Sequence, residues 1–160
     1  MTPFHVLFGS NKQIEYKNQL IDRYFELTEV GEYKIKFTFI ESNSDINQAI
    51  VLFFCDFSGE YYLENKLKQI KNNRFPQEHF WIDTSPKEFN VTINLLEGKI
   101  MICNGSDLLG DKCYCNTLHA GCAMHTVKIS ENRYRFFCND HELDDDFNDL
   151  IFEMEILHKE

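Results

Sequence analysis

The chain has 160 residues, 43% of them hydrophobic, with 16 basic against 26 acidic side chains and a net charge of −10. That length suits one ordinary domain with a core of its own. An acidic field without a basic stripe repels phosphate backbones and excludes nucleic acid as a partner, and no stretch approaches the roughly 18 consecutive apolar residues of a membrane helix, so no transmembrane segment is expected.

The N-terminus, Met1-Thr2-Pro3-Phe4-His5, lacks the basic and apolar regions of a secretory signal. Two readings of localisation stand, a protein kept inside the cell or one whose signal has been removed. Further along, Asn18 to Leu27 fits one or two helical turns, or a strand entering the turn Glu29-Val30-Gly31, and periodicity does not decide. In Tyr33-Lys34-Ile35-Lys36-Phe37-Thr38-Phe39 every second residue is apolar. Such alternation buries one face of a strand and wets the other. Ala49 to Phe54 is continuously apolar, as in a central strand covered on both faces. Tyr61 to Lys71, with Leu63, Leu67 and Ile70, is spaced more like a short helix, and the polar segment Asn72 to Pro86 reads as a long connection.

Alternation returns in Phe89-Asn90-Val91-Thr92-Ile93-Asn94-Leu95, and Ile100 and Ile102 follow Glu97-Gly98, a pattern that reads as a hairpin. Two further alternating strands are Arg133 to Cys138 and Leu150 to Ile156. The 15 Phe and 7 Tyr suit the space between packed sheets. With no repeat or linker, residues 1–160 are expected to form a single all-β domain, an antiparallel β-sandwich or jelly-roll-like fold with little helix.

Two stretches carry candidate chemistry. Cys113-Tyr114-Cys115 and Cys122-Ala123-Met124-His125 bring three thiols and an imidazole close in sequence, and His119 lies between them. Zinc, a disulfide involving Cys113 or Cys115, and plain loop and core residues are all compatible with this spacing. A Cys-His nucleophile lacks a third, orienting group, and no paired acid and base is assignable, so an enzyme is not expected. Cys55, Cys103 and Cys138 each close an apolar run, as buried free thiols do.

The second stretch joins the last two strands: Asn139-Asp140-His141-Glu142-Leu143-Asp144-Asp145-Asp146-Phe147-Asn148-Asp149. Six of the 26 acids lie between Asp140 and Asp149, with no Lys or Arg among them. Unit charges about 4 Å apart repel by about 1–4 kcal/mol, and a hard divalent cation offsets that. Calcium takes six to eight oxygens in a tolerant geometry, whereas magnesium prefers a tighter octahedron. Alternate residues of an extended loop share a side, so Asp144, Asp146 and Asn148 present oxygens together and Asp149 adds another, while Phe147 turns back as an apolar anchor. The loop is not an EF-hand, because it lacks the Gly and the closing Glu at the required positions.

This stretch, Asp140 followed by Asp144-Asp145-Asp146-Phe147-Asn148-Asp149-Leu150, resembles the calcium loop of the soluble calcium-dependent fucose- and mannose-binding bacterial lectins. In that family an acidic residue and an Asp-x-Asp-x-Asn-Asp sequence bind two adjacent calcium ions, and sugar hydroxyls complete the coordination. The resemblance implies Asp140, Asp144, Asp146, Asn148 and Asp149 as ligands, a glycan as partner, and a homo-oligomer, since the family's last carboxylate reaches a neighbour's calcium. Trp81, Tyr61 and Tyr62 are candidate stacking faces for such a sugar. The alternative is a calcium-stabilised structural, self-assembly or protein-interaction protein without sugar binding.

Overall fold

A computed structural model describes residues 4–68, 76–107, 110, 115–116, 122–140 and 146–159. The expected all-β class is what it shows. A single turn of helix, α1 (Phe4–Phe8), precedes β1 (Gln13–Tyr16), β2 (Gln19–Asp22), β3 (Phe25–Leu27), β4 (Gly31–Ser42), β5 (Gln48–Leu63), β6 (Lys66–Lys68), β7 (Gln77–Trp81), β8 (Glu88–Asp107), β9 (Cys115–Asn116), β10 (Ala123–Ser130), β11 (Arg133–Asn139) and β12 (Leu150–Lys159). All pairings are antiparallel and follow the order β1-β2-β10-β11-β12-β4-β8-β5-β6, with β3 and β9 added to β8 and β7 added to β5.

The spine is the long ribbon of β5 and β8, paired from Gln48↔Ser106 to Leu63↔Val91. Strands this long bend where side chains permit. The ladder slips between Cys55 and Gly59, and the residue at the bend of β8 is Gly98, at φ +85°. A Cβ there would lie 2.3 Å from the Cys55 carbonyl oxygen and 2.4 Å from that of Asp56, so only glycine fits. On one side of this corner β8 pairs with β4, and beyond it with β3. The two halves of the ribbon thus serve different layers of a sandwich-like fold. Rings meet between the layers: Phe80 of β7 lies 4.5 Å from Phe89 of β8, and Phe25 of β3 lies 5.7 Å from Phe136 of β11.

Three local expectations are corrected by this arrangement, and one open reading is decided. Glu97-Gly98 is a bend within β8 and not a hairpin turn, because β5 supplies a continuous partner along both halves. Tyr61 to Leu63 end β5 and Lys66–Lys68 forms β6, so the described part of the segment read as helix is a tight hairpin around Glu64 and Asn65, both at positive φ. The supposed connection before Pro86 contains β7, which pairs with Ala49 to Phe53 and leaves that apolar run flanked by strands on both edges. Asn18 to Leu27 resolves into β2 and β3.

A second, smaller cluster lies outside the main core. Phe4 and Phe8, four residues apart on α1 and so on one face, pack with Ile21, Ala123 and Phe147. Among the described residues no helix is long and apolar enough to cross a membrane.

Candidate functional site

The acidic loop is the connection of the β11–β12 hairpin, whose ladder closes at Cys138↔Leu150. The Asp149 amide donates to the Cys138 carbonyl at 3.1 Å. Beyond that pair the chain is held by side chains. One carboxylate oxygen of Asp149 accepts from the Asp140 amide at 2.9 Å, and one of Asp140 accepts from the Ser44 hydroxyl at 2.7 Å. Both aspartates are buried, Asp140 at 2% and Asp149 at 4% exposure. Asp146, by contrast, is exposed, and its Oδ1 lies 3.4 Å from the Asn148 amide.

The end of β4 braces the loop from the side. Ser42 donates its hydroxyl to the Asp149 carbonyl at 2.8 Å, and the Asn43 side-chain amide donates to the Asn148 carbonyl at 2.9 Å. The sequence pattern does not disclose these braces. They follow from the register that sets Leu150 opposite Ser42, more than a hundred residues away in the chain. Asn104 is a further neighbour, its amide donating to the Asn139 carbonyl at 2.9 Å. The Asn148 Oδ1 is buried and has no hydrogen-bond partner. A buried acceptor left so costs about 1–3 kcal/mol.

Phe147 behaves as the sequence suggests. Its backbone sits at φ +50°, a region few bulky residues adopt, and its ring turns inward to lie 5.8 Å from Phe4 and within the α1 cluster. The loop is therefore pinned at both ends of its described part, by the Asp140–Asp149 contact and by the Phe147 ring.

Asp144 lies outside the described residues, as do Asp145 and Cys113. Among the described residues no group of three His, Cys, Asp or Glu side chains is placed to hold a metal ion. The structure thus brings Asp140 and Asp149 together and leaves Asp146 at the surface. Of the Cys-His stretch, Cys113 and His119 lie outside the described residues, and Cys122 and His125 do not come together. Cys122 is buried, and burial, with the charges of Asp140 and Asp149 behind it, pushes its thiol well up against a hydrogen bond from Ser106. His125 lies three residues on along an extended chain and so takes the opposite face, its Nδ1 3.1 Å from the Leu20 carbonyl. Cys115 is on β9, opposite Asp107. Cys55, Cys103 and Cys138 are free thiols, and burial raises each of them.

The three aromatic candidates fare differently. Tyr61 is 1% exposed and packs on Phe54 at 5.3 Å, while Trp81 is 8% exposed and stacks on His79 at 5.4 Å. Neither offers an open ring face. Tyr62 is half-buried and donates its hydroxyl to the Glu60 carboxylate.

Comparison with protein-family models, with curated proteins and with solved structures gives no match.

Proposed function

We propose that this chain is a calcium-binding recognition module, not an enzyme, whose ion sits in the β11–β12 loop. The observation that carries the reading is the buried pair Asp140 and Asp149 at the loop's base, beside an Asn148 side-chain oxygen that no donor satisfies. Calcium accepts six to eight oxygens of mixed carboxylate, amide and backbone origin, and a coordinated ion would answer both the buried charge and the orphaned amide oxygen. Asp144 and Asp146 lie between these residues in the chain and would complete the set. Asp146, at the surface, would leave one side of the ion to a ligand. A glycan whose hydroxyls close the coordination is the ligand that the loop's sequence suggests.

One observation favours a second reading, in which calcium only stabilises the fold and the partner is a protein. Tyr61 and Trp81 are buried and have no free face for a sugar. The experiment separating these possibilities has two stages. Millimolar calcium is expected to raise the melting temperature and a chelator to reverse it; identical melts would remove the calcium reading altogether. A glycan array in calcium buffer then decides the ligand: binding supports the sugar reading, and a blank array leaves the protein-interaction reading.

A further inference from the structure

Away from the acidic loop, one side of the molecule leaves two strand edges open. Among the described residues β3 pairs only with β8, and β10 is laddered to β2 at Met124↔Asp22, with Leu20 of β2 still beside His125. Among the described residues, the outer edge of β3 and the end of β10 from Lys128 to Ser130 therefore have no strand laddered to them. Between them runs a trough made of two adjoining clefts of about 630 Å³ and 390 Å³, which share Phe25, Glu26 and Tyr134. Its floor is the Phe25–Tyr134 ring pair, with centroids 4.8 Å apart. Thr126, on the β10 wall, has a buried hydroxyl oxygen without a hydrogen-bond partner. Leu157 on the rim is 52% exposed, and Ile129 on the open part of β10 is also exposed.

We propose that this trough receives an extended peptide strand from a partner protein, apolar at alternate positions and basic between them. Free strand edges present main-chain donors and acceptors that another extended chain satisfies directly. Period-two alternation would seat every second side chain on the Phe25–Tyr134 floor and leave the others at the rim. At the rim, Glu131 meets Lys128 at 3.6 Å and Glu29 meets Lys159 at 3.1 Å, exposed pairs that hold weakly and yield to a competing cation. The chain's charge of −10 attracts a basic partner and repels a second copy of itself. The trough includes none of the acidic-loop residues, so the proposal stands apart from the calcium reading.

The test uses the full chain in chelator with a blocked synthetic peptide, Lys-Val-Lys-Val-Lys-Val-Lys, followed by amide chemical shifts and hydrogen exchange. Saturable binding is expected, with slowed exchange confined to residues 25–27 and 128–130. Leu157→Asp, at an exposed position, is expected to weaken binding about tenfold, as losing part of a leucine's burial does, with the melting temperature unchanged. The same peptide N-methylated at every residue loses its main-chain donors and is expected not to bind. The proposal is overturned if millimolar peptide does not bind, if the N-methylated or an all-Glu analogue binds equally well, if protection falls on another edge such as Gln77–Trp81, or if these residues prove occupied by a second copy in the absence of peptide.

Discussion

The Asp149 carboxylate accepts the Asp140 amide at 2.9 Å and so ties together the two ends of the acidic loop, nine residues apart. This contact needs an acceptor oxygen but not a charge, and that separates two roles. Asp149→Asn is expected to keep the loop's base, with little change in melting temperature in chelator, and to lose the stabilisation that calcium adds. Asp149→Ala removes the acceptor as well and is expected to cost about 1–3 kcal/mol even without calcium. Asp146→Ala, at an exposed position, is expected to leave chelator stability intact and to abolish the calcium gain, which for the parent is about 2.7 kcal/mol at a hundred times Kd. Melts of the three variants with and without calcium check this, and a calcium gain that survives in Asp149→Asn and Asp146→Ala would place the ion elsewhere.

Phe147 holds the loop through packing alone. Its ring meets Phe4 at 5.8 Å in a cluster that also contains Phe8 and Ile21. Phe147→Ala is expected to destabilise the chain by about 3 kcal/mol, the low end for a buried phenylalanine. Phe4→Ala acts on the same contact, so the double variant is expected to lose less than the sum, with a coupling of about 0.5–3 kcal/mol in urea unfolding. Strict additivity would mean that the helix and the loop are independent.

These two contacts mark what is legible in the sequence. Tyr33 to Phe39, Phe89 to Leu95 and Leu150 to Ile156 announce strands because alternation is a local property, and Phe147 announces an anchor because an aromatic amid aspartates has few other uses. Ser42, Asn43 and Ser44 announce nothing. Their role depends on the β4–β12 register, which pairs residues far apart in the chain. The 89–102 segment misleads for the same reason: Glu97-Gly98 has turn chemistry, but a partner strand running past both sides makes it a bend. Likewise Tyr61 alternates in and out like any exposed aromatic would, and only packing on Phe54 puts it inside.

The bend at Gly98 has a sharp consequence. A Cβ at φ +85° would overlap two backbone carbonyls that cannot swing away without breaking the β5–β8 ladder. Gly98→Ala is expected to cost on the order of 4 kcal/mol or to prevent folding. Gly9 offers the control: it too has positive φ, +55°, but nothing lies within 4 Å of an added Cβ. Gly9→Ala is expected to cost about 1 kcal/mol, the conformational part alone. Equal losses in the two variants, measured by chemical denaturation, would mean that the steric clash is relieved.

Glu26 predicts the response to acid. Burial raises its carboxyl, but hydrogen bonds from Lys12 at 2.6 Å and Lys99 at 2.9 Å outweigh burial and hold it below the usual carboxylate value. A folded-state pKa lower than the unfolded one means that the unfolded chain binds the proton more readily. The contribution is therefore fully present above about pH 4.3, the unfolded value, and is lost as pH falls through the folded one. Both lysines are substantially exposed, so solvent screening limits the effect to about 1 kcal/mol. Glu26→Gln is expected to lower stability at pH 7 by that amount and to converge with the parent as the pH falls through the folded value. Urea midpoints of the two proteins across this range check it, and a difference that does not shrink on acidification would mean that Glu26 acts through packing and not through its charge.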